Sequence, residues 1–345
     1  MDSTIVLFLL QDAVVNGAIY ALVGIALVLV FAVTRVILIP QGEFVAFATL
    51  TLASLQSGTR PSMAWLLVAL GVLSAALSLI RARRILTVRR TAKILGWNIV
   101  LPVAIAAIAI VAAPLKLGLA VNILVTLALI VPFGVILYDL AFDVLAEASV
   151  LTLLIVAFGV HLALTGLGLA FFGPEGANTP ALWTDNFSVG ALLVSGQSLC
   201  VLGVTVLLMA GLGWFFRDTL IGKALRACSV NRLGARLVGM PTAVAGRLAF
   251  GVAAFIGAVS GILMGALTTL YYDSGFLIGL KGFVAAIVAG LGSYPLTVVA
   301  ALLVGGVESF SSFWASAYKE VLVFTIIIPF LLFRSLQSSG VEDEE

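Results

Sequence analysis

Apolar residues run along this chain in unbroken blocks of membrane-spanning length, separated by short polar breaks. A transmembrane helix needs about 20 predominantly apolar residues. Blocks of that order recur at 4–34, 42–58, 62–80, 98–113, 119–138, 150–170, 188–214, 243–270, 295–313 and 319–334. A shorter block at 281–293 reads as a half-helix. Strands of a membrane barrel would alternate apolar and polar positions; runs such as Ile19 to Val33 do not. The expected fold is therefore all-α, a polytopic transmembrane protein of about ten spanning helices plus a half-helix. Residues 1–345 read as one membrane domain, with a polar tail from Gln337 to Glu345 expected to be disordered.

Composition sharpens this picture. Of the 345 residues 62% are hydrophobic and 10% charged, whereas soluble domains carry about 25% charged residues. A chain this apolar cannot cover itself with wetted surface, so lipid is its solvent. A net charge of +2 gives no footing for nucleic acid. Cys200 and Cys228 stand far apart in different kinds of segment, so no disulfide framework is expected. The first block lacks a signal-peptide layout, since Asp2 leads it and no basic stretch follows.

Lys and Arg in the loops set the orientation. Arg81, Arg83, Arg84, Arg89, Arg90 and Lys93 follow the third block, and Arg217, Lys223, Arg226, Arg232, Arg236 and Arg247 follow the seventh. Both segments are expected inside. The stretch from Phe172 to Asn186 has neither Lys nor Arg and is expected outside. Counting crossings puts the amino terminus outside, Arg35 inside and the end near Arg334 inside.

The segment Gly222 to Pro241 is too polar to span. Ala227, Val230, Leu233, Gly234 and Leu237 recur at helical spacing, Arg232 and Arg236 lie one turn apart on another face, and Gly239 with Pro241 reads as a helix stop. One short amphipathic helix is expected. Its stripe fits either an anionic lipid surface or a groove on a partner protein.

Several chemistries lack their residues. Gly222-Lys223 has no glycine upstream at Walker spacing, and Ala224 stands where Ser or Thr would hold magnesium. The single histidine, His161, cannot build a zinc cluster or a triad. The chain is not expected to be an enzyme or to bind a metal.

Ionisable residues at bilayer depth cost about 2.5–3.5 kcal/mol on insertion scales and are functional candidates by default. Here they are Glu43, His161, Lys281, Glu308 and Lys319. Each also has a plain role. His161 can hydrogen-bond a neighbouring helix, Lys281 and Lys319 can snorkel to the headgroups, Glu308 can make a helix contact, and Glu43 can cap the helix after Pro40 and Gly42. Such acidic groups are few and show no pairing in the sequence, which weakens an ion-coupled mechanism. Gly257, Gly261 and Gly265 repeat every fourth residue and read as helix packing. Gly275, Gly279, Gly282, Gly290 and Gly292, then Pro295, mark broken helix. Breaks at membrane depth often line a transporter's route. The pathway candidates are accordingly Gln41, Glu43, His161, Gly279, Lys281, Gly290, Gly292 and Glu308.

Residues 279–293 read GLKGFVAAIVAGLGS, which resembles the GxKAFxAAVLGGxGS signature of branched-chain amino acid ABC-transporter permeases of the LivH type. Residues 303–308, LVGGVE, resemble the family's LLLGxxE segment, and residues 222–228, GKALRAC, its GRAxRAxA stretch, with Gly239-Met240 matching a GI ending. Residues 16–22, NGAIYAL, match NGxxxGxxYAL with shortened spacing. The resemblance covers roughly 10–60 and 135–335. It implies a coupling helix within 222–239, with Arg226, Ala227, Val230, Arg232, Leu233, Arg236, Leu237 and Gly239 as its contact residues on an ATPase. It further implies a second permease (a homodimer remaining open), two cytoplasmic ATPases carrying ATP and Mg, a periplasmic binding protein and a bacterial inner-membrane location, with no cofactor in this chain. Two departures stand out. Where the family has NFAHGE this chain has Leu38-Ile39-Pro40-Gln41-Gly42-Glu43, and residues 75–120 read as an insertion of up to two helices. The loop near Tyr138 is also acidic (Asp139, Asp143, Glu147) where the family tends to be basic.

The expected function is thus the permease subunit of an ATP-driven importer of amino acids or related small polar compounds, working by alternating access. A lone ion-coupled carrier using Glu43 or Glu308 is the alternative, and a non-transporting scaffold a third class, marked by a sealed interior near Gly279–Ser293.

Overall fold

The computed structural model describes residues 3–83, 87–189, 192–237, 239 and 242–338. The tail at 339–345 and Pro241 lie outside the described residues. Among the described residues, eight helices are long and apolar enough to cross a bilayer. They are α1 (Ser3–Thr34), α3 (Ser62–Ala82), the run of α4 (Val88–Leu95) and α5 (Leu101–Ala112), α6 (Leu119–Leu137), α7 (Val150–Phe172), α8 (Gly196–Asp218), α11 (Thr242–Met264) and α13 (Tyr294–Trp314). The intervening α2 spans Gln41–Ser57, and α12 spans Ser274–Val288.

From Ile19 to Val30, α1 is almost wholly buried. It is apolar all round, as a helix at the centre of a bundle must be, and α11, α12 and α13 pack around it. Thr34 closes it, donating its hydroxyl to the Val30 carbonyl at 2.7 Å and accepting from the Val36 N–H at 3.3 Å. Pro40 bars Ile39 from the α region, so 35–40 runs non-helical into α2. Non-helical backbone at membrane depth needs protein around it, and Val36 and Leu38 are buried. The Gln41 amide donates to the Ala253 carbonyl at 3.0 Å. Ala253 is the midpoint of the 23-residue α11, so α2 starts halfway through the bundle.

Five predicted blocks take a different form. The 42–58 block is a 17-residue half-crossing helix. The half-helix placed at 281–293 is α12, 15 residues starting at Ser274. The end of the 243–270 block leaves the helix at Met264, and Leu270 forms a bridge with Ala177 instead. The start of the 188–214 block is strand: β1 (Asn186–Val189) pairs antiparallel with β2 (Leu192–Ser195), and Ser195 then caps α8 by accepting from the Ser198 N–H at 3.2 Å. Finally, 319–334 divides into α14 (Lys319–Thr325) and α15 (Ile327–Ser338).

Glycines set the closest crossings. A Cβ on Gly261 would stand 2.2 Å from the Val45 carbonyl oxygen, and one on Gly257 2.7 Å from the Phe44 Cβ. The four-residue glycine repeat therefore seats α11 on α2. Gly42 meets α12 backbone to backbone, since a Cβ there would lie 1.7 Å from the Gly275 oxygen. The glycines at 290–292 build a turn: Gly290 and Leu291 have φ of +76° and +56°, and the Leu291 N–H reaches the Ala286 carbonyl at 2.8 Å.

Charge gathers at one end. Asp139, just past α6, accepts from Arg247 Nε at 2.6 Å, and its carbonyl accepts from Arg81 at 3.5 Å. The acidic residue in the predicted inner loop is thus the anchor for the basic ends of α3 and α11. At the other end Gly58 lies against Lys116, and Thr179 donates its N–H to the Gly265 carbonyl at 2.8 Å.

Candidate functional site

Lys281 is buried on α12 and does not snorkel. Its Nζ lies 2.5 Å from Glu308 Oε1 on α13 and 3.2 Å from Glu320 Oε1 on α14. The Tyr20 hydroxyl of α1 donates to the other Glu308 oxygen at 2.5 Å, and Lys281 stands 5.7 Å from the Tyr20 ring centroid, within cation–π range. Helix packing explains the meeting. A Cβ on Gly305 would stand 2.4 Å from the Ala13 carbonyl oxygen, so α13 lies tight on α1 one turn before Glu308. Gly282 has the same relation to Val23, at 2.5 Å, which brings Lys281 to the same seam.

Tyr20, Lys281 and Glu308, but not Glu320, border a cavity of about 660 Å³, within the roughly 300–1,000 Å³ of small-molecule sites. Asp12, Asn16, Tyr20, Lys281, Glu308 and Ser309 give it a polar side, while Leu9, Met264, Leu277, Ile278 and Phe313 give it an apolar one. Its walls come from residues 9–20 of α1, the last residue of α11 with residues 268–270 that follow it, the first half of α12 and the second half of α13. It therefore lies away from the Arg81–Asp139–Arg247 end. The Ser309 hydroxyl is buried without a hydrogen-bond partner. Lys319 also lines the cavity.

A second buried pair forms at the start of α2. His161, at the midpoint of α7, bonds Glu43 through Nδ1. Its ring stacks on Phe276 with centroids 4.4 Å apart. Glu43 thus both sits in the first turn of α2 and forms a helix-to-helix link. Neither residue lines the cavity.

The remaining pathway candidates do other work. Gly279 packs on Gly42 and Ile39, Gln41 ties α2 to α11, and Gly290 and Gly292 lie in the turn between α12 and α13. Among the polar cavity residues that escaped the sequence reading as site candidates are Asp12, Asn16 and Ser309. Asn16 figures only in the family-like NGAIYAL segment, and the one signal for Asp12 and Ser309 is a polar residue near Tyr20 or Glu308 on an otherwise apolar helix.

At the charged end the predicted single helix is two. Asn231 leaves the helical region, with φ −146° and ψ 97°, and its side chain caps the next helix by accepting from the Gly234 N–H at 2.8 Å. Helix α9 covers Leu220–Val230 and α10 covers Arg232–Leu237. Gly222, Leu225 and Cys228 are the buried face, with Leu225 and Cys228 packed on Leu29 and Val33. Arg226 and Ala227 are exposed, as are Val230 and Leu237 at 81% and 80%. The side chains of Arg232, Leu233 and Arg236 lie outside the described part of the structure; Gly239, with φ +83°, follows α10.

The sequence profile described as "Branched-chain amino acid transport system / permease component" matches residues 86–331. The chain is 31% identical over 222 residues to the high-affinity branched-chain amino acid transport system permease protein BraD of Pseudomonas aeruginosa, covering 62% of this chain and 71% of that one. It is 30% identical over 207 residues to the LivH permease proteins of Salmonella typhimurium and Escherichia coli, covering 58% of this chain and 67% of each. No solved structure matches.

Proposed function

This chain belongs to the permease family of branched-chain amino acid transport systems, and from that premise we propose that it is the membrane subunit of an ATP-driven amino-acid importer in a bacterial inner membrane. A second permease completes the transmembrane unit, a binding protein delivers substrate at the cavity end, and two ATPases carrying ATP and Mg dock at the charged end. The chain itself needs no cofactor. The family profile begins at residue 86 and so runs through most of 75–120; there Asn98, in the π-helical segment joining α4 to α5, accepts from the Ser74 hydroxyl of α3 at 3.4 Å.

The observation that carries the reading is the free face of α9 and α10. Val230 and Leu237 are among the most exposed apolar side chains of the chain, and basic Arg226 stands beside them. Their opposite face is fixed to α1 and α11. A motion at α9 therefore transmits directly to the helix that forms the cavity wall. ATP binding closes the ATPase pair, the push enters through this segment, and the bundle reopens toward the other side. An ion-coupled carrier would require Glu43 or Glu308 to take up a proton or sodium ion, yet each is already bonded to a cationic or imidazole partner.

Val230→Asp and Leu237→Asp test this. Each should insert normally and reduce ATP-driven uptake by about tenfold or more, as expected for charge placed in the apolar centre of an interface. Normal uptake by both variants would refute the coupling role.

A further inference from the structure

We infer that Lys281 recognises the carboxylate end of a free amino acid, which it accepts in exchange for Glu320. The inference rests on the importer reading and assigns the ligand's contact.

The Lys281 cluster holds one ammonium and two carboxylates. The two acids are not equivalent. Glu308 is held twice, by Lys281 at 2.5 Å and by the Tyr20 hydroxyl at 2.5 Å, and its side chain is 11% exposed. Glu320 reaches Lys281 at 3.2 Å, is 33% exposed, and its second oxygen is enclosed without a hydrogen-bond partner. It stands on the seven-residue α14, which is too short to be stable by itself and is interrupted after Thr325. Two carboxylates on one cation repel each other. Glu320, which does not itself line the cavity, is therefore the surplus and weaker partner, and a ligand carboxylate reaching Lys281 from the cavity would compete with it.

The cavity supplies what such a ligand needs. Lys281 borders it, and the Ser309 hydroxyl, 5% exposed and unpartnered, is a second donor on the same polar side. An unpaired buried hydroxyl is costly, and a ligand carboxylate relieves that cost. Asp12 and Glu308 offer oxygens for the ligand's ammonium, while Leu277, Ile278 and Phe313 suit an aliphatic side chain.

The test uses the assembled transporter in lipid nanodiscs without its binding protein. Tritiated L-leucine is the probe, and L-leucinamide, which lacks the carboxylate, is the competitor. Wild type should prefer leucine by about tenfold or more, the worth of one charge-assisted hydrogen bond. Glu320→Gln should raise leucine affinity several-fold and leave leucinamide unchanged, because it removes the internal competitor while Glu308 still pairs Lys281. The double variant Lys281→Met/Glu320→Gln, which removes one charge of each sign, should bind leucine and leucinamide equally. Unchanged or weaker leucine binding in Glu320→Gln overturns the exchange. Loss of carboxylate preference in Lys319→Met, with the Lys281 double variant still discriminating, overturns the assignment to Lys281. ATP-driven leucine uptake by the same preparation with its binding protein separates the two levels. Uptake with no saturable leucine binding in the nanodiscs overturns this inference alone, and absence of uptake by wild type overturns the importer reading beneath it.

Discussion

Among the described residues, the buried ionisable side chains of this bundle occur in bonded groups. His161 and Glu43 are 118 positions apart, and Lys281 and Glu308 are 27 apart. Breaking one partner of a buried pair strands the other, at about 3–5 kcal/mol. His161→Ala should therefore lower thermal stability in detergent by that order, and Glu43→Gln in the same chain should recover part of the loss. Equal melting of His161→Ala and wild type would show that the pair contributes nothing. Each of the four residues was legible as a candidate, because a charge in an apolar block is conspicuous. Their pairing was not, because the contacts join helices whose relative placement no local spacing encodes. The same limit hid Asp12 and Ser309, polar residues that count only once α1 and α13 are seen to share a cavity.

Among the elements, the two half-length helices are the distinctive feature. Both α2 and α12 begin inside the bundle and cross at Gly42 and Gly275. Gly42→Ala would place a methyl group 1.7 Å from the Gly275 oxygen. Overpacking costs about 1–3 kcal/mol where side chains can shift, and more here because the obstacle is backbone. Gly159 and Gly211 have nothing within 4 Å of a built Cβ, so alanine there should be neutral or slightly stabilising through helix propensity. Folded yield in gel filtration ranks the three; Gly42→Ala behaving like the other two would remove the crossing from the account. Long apolar blocks gave helices reliably, since burial in lipid leaves the backbone no alternative. Block ends were less legible. The hairpin at 186–195 shares its hydropathy with α8, and the end of the 243–270 block stays apolar after α11 has stopped. The segment at 222–239 was read from its apolar stripe, whereas the buried face is the Gly222–Leu225–Cys228 row, and the exposed stripe is what remains for a partner.

Over the whole molecule, charge asymmetry and the cavity fall at opposite ends. We propose that the Arg81, Asp139 and Arg247 cluster, with α9 and α10 beside it, is the inner end, because Lys and Arg gather in the loops there. With Cys200 and Cys228 replaced by serine, Leu237→Cys should react with an impermeant maleimide in inverted vesicles and not in intact cells. Thr59→Cys, exposed beside Gly58 at the other end, should do the reverse. The opposite pattern would invert the importer. We propose that this chain works as one subunit of an ATP-driven assembly, and co-purification from its native membrane in mild detergent is the direct test. Mass spectrometry should find a second permease and two ATPase subunits with it. A folded chain recovered alone, taking up amino acids on an ion gradient without ATP, would contradict it.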